Sequence, residues 1–378
     1  MVPGLEVPIN PKALAWALRR ARVGTESLAK AVGVKPERAT AWLDGQARPT
    51  YRQAREIAQK LHVSLGQLLV PPPERLELPV PDLRRGSREV DEPSPELVET
   101  LYDALRKRDW WREHRGAHRL PFVGSFDWKQ ADPEDVAQAI RQYIPVESER
   151  KQARDWSDFL RRLSEAAENI GILVLRRGIV GYNTRRPLDP KEFSGFAIAD
   201  PVAPVILINT QDYVARRIFT FAHELAHVWF GESAVDDNLE LDTRHRLEAL
   251  CDSVAAELLV PEEEFRDVWS GNPHDAADRC ARHFWVSVWV AARRALDLRL
   301  ISPDQFRGIL DRYYSATRPQ NRRSGRGDFH RNVATFNSPT FTKAVVAATL
   351  QGELTYKEAA SLLGLNLATF VNYLERQT

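Results

Sequence analysis

The stretch FTFAHELAHVWFGE, Phe219 to Glu232, constrains this chain more than any other. Two histidines stand four residues apart, Glu224 follows the first, and the surroundings are otherwise apolar. On an α-helix, positions four apart differ by about 40° around the axis, so His223 and His227 point the same way and can bind one ion. Glu224 lies about 60° beyond His227, within reach of a water on that ion rather than of the ion itself. Zinc catalysis needs three protein ligands and a fourth position left for water, together with a base that takes the water's proton. The HExxH pattern supplies two ligands and the base, so a third ligand has to come from elsewhere in the chain. The competing reading is a buried helix whose histidines merely hydrogen-bond to their neighbours.

A second periodic stretch, RLEALCDSVAAELLVP, bears on that choice. Glu248 and Asp252 are four apart and share a face, so Glu248 could complete the metal site while Asp252 orients a ligating histidine by accepting its distal N–H. His245, Asp242 and Glu257 are rival third ligands. Cys251 borders this face and reads as a small buried thiol, since Leu250, Val254 and Leu258 run beside it. A group that stabilises developing negative charge is also needed, with Tyr213, Arg244 and His245 as candidates.

FTFAHELAHVWFG together with EALCDSVAAELLVP resembles the ImmA/IrrE family of bacterial and phage metallopeptidases, whose pattern is HExxH followed by ExxxN/D and AAELLxP. The resemblance covers roughly residues 168 to 302. It implies that His223, His227 and Glu248 bind one catalytic zinc ion and that Glu224 is the general base, a gluzincin-like set. Asp252 stands where many members have Asn. The segment EFSGFAIADPVAPVILINTQD is similar to the family's segment ahead of the motif helix, where a strand lies along the substrate cleft. An extended substrate can add to such a sheet edge.

The first 70 residues read as short helices: PKALAWALRRA, then ESLAKAVG with Thr25 as its cap and Gly33 as its stop, then PERATAWLDG opened by Pro36, then TYRQAREIAQKLHV and SLGQLL. TESLAKAVGVKPERATAWLDGQARPTYRQAREIAQKLHV resembles the Xre/Cro-type helix-turn-helix of phage repressors. In that fold the second helix of the motif enters the major groove of an operator-like duplex. The resemblance places Lys35, Glu37, Arg38 and Thr40 near base edges, with Arg48, Arg52, Lys12 and Arg19 as phosphate contacts and Trp42 in the core. Residues 1–72 hold 11 Lys and Arg against five acidic residues, a local charge of +6 in a chain of net charge +1. That local excess is what phosphate contacts require. A helical protein-docking module on the same scaffold is the alternative.

Residues 71–96 carry most of a Pro-rich run, with seven prolines from Val70 to Glu96, and read as a semi-rigid linker. Residues 97–315 read as the peptidase domain with helical additions. A helix runs from Leu97 to about His114, another from Trp156 to Asn169, strands are expected in GILVLRRGIVG and PVILIN, and helices over Arg216–Phe230 and His245–Leu259. Ala276–Leu300 reads as a structural helix-turn-helix-like addition. Residues 316–378 combine a basic loop, Arg318 to Arg331, with a C-terminal helix-turn-helix-like pair around Gly364, whose few charges favour packing or oligomerisation. The expected fold class is α+β and mostly helical, with an all-α N-terminal domain, a zincin-like domain with a small sheet, and a helical C-terminal region.

Two cysteines exclude a disulfide framework and suit a reducing cytosol, and no apolar run is long enough to span a membrane. No signal peptide is expected at the N-terminus. The combined expectation is a cytoplasmic, DNA-associated zinc endopeptidase that regulates transcription by cutting a helix-turn-helix repressor. Dimerisation would match a palindromic operator. The alternative is a transcriptional repressor or antitoxin-like regulator whose metallopeptidase-fold body senses a ligand or metal without proteolysis.

Overall fold

The computed structural model describes residues 5–73, 93–232, 241–316 and 329–376, with the side chains of residues 241, 242, 316 and 329–331 left aside. Most of the Pro-rich linker and of the basic loop therefore lies outside the described residues. The described chain divides into two compact units, residues 5–73 with 93–102, and residues 103–376.

The first unit contains α1 (Pro11–Arg20), α2 (Thr25–Val32), α3 (Pro36–Leu43), α4 (Tyr51–Leu61) and a 3-10 turn at Gly66–Leu68. Asn10 starts α1, its side chain accepting from the Lys12 and Ala13 amides while Pro11 fills the first turn. The cap of α2 differs from expectation. Gly24 takes the extended backbone ahead of the helix (φ −75°, ψ 156°), so Thr25 already lies in the first turn and its hydroxyl is not the cap. Gly33 ends α2 in the left-handed region at φ 71° and allows the tight turn into α3, where Pro36 occupies the first turn. Thr50 and Gln53 form a reciprocal capping box on α4. Leu14, Trp16, Leu28, Ala39, Trp42, Ile57 and Leu61 close a core of their own, so Trp42 sits inside as the sequence implies.

The second unit takes in most of α5 (Pro95–Arg115), then α6 (Pro133–Tyr143), α7 (Val146–Gln152), α8 (Trp156–Asn169), β1 (Leu173–Arg177), β2 (Gly195–Ile198), β3 (Val205–Asn209), α9 (Val214–Phe230) and α10 (Leu241–Leu259). It continues with α11 (Glu262–Val268), α12 (Pro273–His283), α13 (Val288–Asp297), α14 (Pro303–Ala316), α15 (Phe329–Asn337), α16 (Pro339–Leu350), α17 (Tyr356–Leu363) and α18 (Leu367–Glu375). α5, α9 and α10 each begin a few residues earlier than the periodicity suggests; for α5, Pro95 in the first turn and the Ser94 hydroxyl, accepting from the Leu97 amide at 3.1 Å, define the start.

The fold is mostly helical, with one small sheet in the order β1-β3-β2. β1 runs parallel to β3, from Leu173 beside Val205 to Arg177 beside Asn209, and β2 runs antiparallel, from Gly195 beside Ile208 to Ile198 beside Val205. All five residues of β3 are buried, as the central strand of a sheet covered on both faces must be. Asn209, fully buried, closes the sheet end: its amide donates to Ser194 O at 2.8 Å and its Nδ2 to Phe193 O at 3.1 Å. Helix α9 packs against β2 and β3 and against α10, α8 and α6, in the middle of the main core.

The C-terminal helices are fastened by polar groups. Asp103 on α5 accepts from Lys107 and, at 2.8 Å, from Arg177 of β1; Arg177 also donates to the Asn337 side chain at 2.8 Å, and Asn337 donates to the Tyr182 hydroxyl at 2.9 Å. Burial alone would raise the Asp103 carboxyl, but Lys107 and Arg177 pull it down to about 2. Burial pushes Lys107 down to about 7 against the attraction of Asp103. Glu168, at the end of α8, accepts from the amide and hydroxyl of Thr340 at 3.1 and 2.9 Å, holding the first turn of α16.

Candidate metal centre

The motif helix α9 is buried without interruption from Thr220 to Phe230. Gly231 ends it at φ 67°, a left-handed conformation that spares the next residue to turn back. The free carbonyls of its last turn are taken up by a neighbouring loop: the Gly124 amide donates to Val228 O at 3.1 Å and the Phe126 amide to Trp229 O at 3.2 Å. The backbones meet so closely that a Cβ added at Gly231 would lie 2.8 Å from Gly124 Cα. Trp229 stacks on Phe122 with ring centroids 4.6 Å apart, which fixes the loop laterally.

That frame holds the two imidazoles in one orientation. His223 Nδ1 lies 2.8 Å from Asp252 Oδ1, and His227 Nδ1 lies 3.2 Å from the Glu232 carbonyl oxygen. A carboxylate and a carbonyl only accept, so both Nδ1 atoms donate, and in the neutral rings both Nε2 atoms present lone pairs. Those two Nε2 atoms are 3.2 Å apart, and Glu248 brings its carboxylate oxygens to 3.2 Å from His223 Nε2 and 3.3 Å from His227 Nε2.

Three acceptors therefore converge on one point inside a site where the histidines are only 2% exposed. A cation satisfies all three at once. Two ligand atoms each about 2.1 Å from a tetrahedral ion are about 3.4 Å apart, and the three separations here differ from that by no more than a few tenths of an ångström. The residues fit a small divalent cation with His₂Glu coordination.

The remaining candidates separate cleanly. Glu224 is 4% exposed on α9 and faces β2, since a Cβ added at Gly195 would lie 3.4 Å from Glu224 Oε1. Glu257 is engaged elsewhere: its carboxylate pairs with Arg294 and accepts from the Glu262 amide. The side chain of Asp242 lies outside the described residues. His245 is exposed on the first half of α10. Tyr213 is 65% exposed at the start of α9; eleven residues before Glu224 corresponds to about 16 Å of helix, too far for its hydroxyl to act at the centre. Cys251 is fully buried, as expected, and its sulfur with one ring nitrogen of each histidine forms a group lying within 4.8 Å of one another.

Some residues that shape the centre are not evident from the motif. Gly195 is one: a Cβ there would meet Thr220 Cγ2 at 2.6 Å and Leu207 O at 2.8 Å, so only glycine lets β2 approach α9. The Gly124–Gly231 contact and the Glu232 carbonyl are others. An SG pair just ahead of FAIA, and PFVG between apolar residues, are the signals that could have exposed the two glycine contacts; a backbone carbonyl leaves none.

In the first unit, Lys35, Glu37, Arg38, Thr40, Arg48 and Arg52 are all exposed. Lys35 precedes α3 without a side-chain capping bond. Arg38 donates to Arg48 O at 3.4 Å, Thr40 to Pro36 O at 3.2 Å, and Arg52 pairs with Glu56 at 3.0 Å. Lys12 and Arg19 are exposed as well.

The helix-rich second unit thus sets two histidines one helical turn apart opposite a carboxylate on the next helix, beside a small sheet. Residues 167–296 match the family model for the IrrE N-terminal-like domain, a peptidase family, which points to a metal-dependent hydrolase in this region. Residues 337–376 match a model described as a domain of unknown function, DUF8813. Neither match extends to residues 1–70, and no curated protein matches the chain. Among the described residues no helix is long and apolar enough to cross a membrane.

Proposed function

We propose that this protein is a DNA-associated, zinc-dependent endopeptidase that regulates transcription by site-specific cleavage of a repressor of the helix-turn-helix type. The observation that carries the peptidase half is the meeting of His223 Nε2, His227 Nε2 and the Glu248 carboxylate at 3.2 to 3.3 Å. The similarity of residues 167–296 to IrrE-like peptidases supports a regulatory protease role.

In this reading His223, His227 and Glu248 hold the zinc, and Asp252 and the Glu232 carbonyl keep both rings in the ligating tautomer. Zinc supplies Lewis acidity to the attacking water and the scissile carbonyl. Glu224 would serve as the base that accepts a proton from the attacking water and passes it to the leaving amine. β2 is paired on one side only among the described residues, and a substrate segment extended along its other edge would run past Glu224. Helix α3 and the +6 charge of residues 1–72 support the DNA half.

The deciding experiment co-expresses the chain with candidate repressors and follows their cleavage. Glu224→Gln is expected to abolish cleavage while retaining one zinc per chain. If the wild type cuts nothing and Glu224→Gln regulates normally, the assignment passes to a regulator whose metallopeptidase-fold body senses a ligand or metal. Binding of the full chain to its own upstream duplex should weaken linearly in log–log with salt; no salt slope means no phosphate contacts.

A further inference from the structure

Within one turn, α10 carries Asp252, Glu248 and Cys251 beside the histidines of α9. Glu248 lies between the other two, with Cys251 about 60° from it around the axis on the side away from Asp252. Each has a distinct relation to the imidazoles. Asp252 binds the outer nitrogen of His223, Glu248 bridges both inner nitrogens, and the Cys251 sulfur lies in a group with a ring nitrogen of each histidine, all within 4.8 Å. The Glu248 side chain is 35% exposed, whereas Cys251 is fully buried. The carboxylate thus has solvent to swing into, and the thiol does not.

Resting on the reading above that the centre holds a cation, we propose that His223, His227 and Cys251 form a second ligand set at the same centre, which takes soft, thiophilic divalent ions such as cadmium in place of the His₂Glu set. A nitrogen and a sulfur on one tetrahedral zinc-sized ion are about 3.6 Å apart, and on the larger cadmium ion somewhat more, so a group lying within 4.8 Å needs to close by no more than about 1.2 Å. Rotation of one cysteine side chain and outward movement of Glu248 supply that closure. On binding, the sulfur–hydrogen bond breaks, its proton leaves to solvent, and the electron pair forms the sulfur–metal bond; nothing is oxidised or reduced. Thiolate favours soft ions where carboxylate favours hard ones. The hydrolytic centre therefore carries its own point of inactivation: cadmium held against the buried wall by Cys251 draws the metal position away from the exposed Glu248.

The full-length chain, stripped with a chelator, is titrated with cadmium and followed by the ultraviolet sulfur-to-cadmium charge-transfer absorption. Wild type and Cys280→Ala are expected to show the band saturating at one equivalent, Glu248→Gln to keep it, and Cys251→Ala to lose it with cadmium affinity reduced on the order of tenfold. Because the chain has two cysteines, a band that survives Cys280→Ala belongs to Cys251 even if Cys251→Ala fails to fold. Cadmium bound without the band, or a band that disappears in Cys280→Ala, overturns the proposal. The same titration with cobalt separates the two readings. A chain that binds one cobalt through Glu248 but gives no cadmium–thiolate band keeps its peptidase centre and loses this second set, whereas a chain that binds neither ion loses both.

Discussion

The centre between α9 and α10 and the exposed surface of α3 carry the two halves of the proposed function, and they are built in opposite ways. At the centre the two rings have set orientations, His223 held by Asp252 and His227 by the Glu232 carbonyl, and Glu248 meets both of them. On α3 and its flanks Lys35, Glu37, Arg38, Thr40, Arg48 and Arg52 are exposed, with a long hydrogen bond and a surface ion pair among their few ties. Chemistry on a bound ion needs orientation set before the substrate arrives, because misplacement by an ångström costs rate. Phosphate attraction acts at longer range and is summed over many mobile charges. The contrast teaches that buried polar geometry announces its purpose, while a basic surface has to be tested.

The largest expected effect is at Glu224. Glu224→Gln should lower cleavage by roughly 10² to 10⁴-fold with zinc content unchanged, measured by single-turnover cleavage and metal analysis; loss of zinc along with activity would blur the distinction between base and ligand. Next comes Asp103, which ties buried cations in the same unit. Asp103→Ala leaves Lys107 and Arg177 without their carboxylate and should cost about 3 to 5 kcal/mol of stability by denaturant titration. The pH dependence follows from the lowered carboxyl. Its stabilisation is complete above the ordinary value of 3.8 and is lost as pH falls through about 2, so acid unfolding of the wild type should steepen across that window and that of Asp103→Asn should not. A smaller effect belongs to Asp252. Asp252→Ala should weaken zinc by about 10 to 100-fold in competition with a chromophoric chelator; an unchanged affinity would show that the ring of His223 needs no such support. The smallest is on the surface. Arg38→Ala should reduce the salt slope of DNA binding by about one and weaken all duplexes alike if it contacts phosphate, or relax sequence preference if it reads a base.

Much of the centre could be read directly from the residue spacing. HELAH on an apolar stretch and Glu248 with Asp252 four residues apart specify which groups share a face of each helix, while the choice of Glu248 over His245, Asp242 and Glu257 depends on how the two helices pack. The small sheet is legible too, since VILI is the continuous apolar run, largely β-branched, of a covered strand. What escaped depends on contacts between distant segments. The approach of Gly124 to Gly231, the fit of Gly195 against Thr220, and the carbonyl that orients His227 leave no periodic trace. The cap of α2 falls on Gly24 rather than Thr25 for a local reason: a threonine one residue after a glycine satisfies the sequence rule as well as the glycine satisfies the backbone.

The side-chain hydrogen bond between Arg177 and Asn337 joins a strand inside one family match to the first residue of the other. Helix α15 lies against that same strand. A fragment trimmed to residues 167–296 would keep every group proposed to hold zinc, yet it would leave a guanidinium that is 3% exposed with the Gly181 carbonyl at 3.3 Å but without the Asp103 carboxylate and the Asn337 amide. Such a fragment is a poor reagent for assaying the centre, and inactivity measured on it would speak about lost foundations rather than about the catalyst.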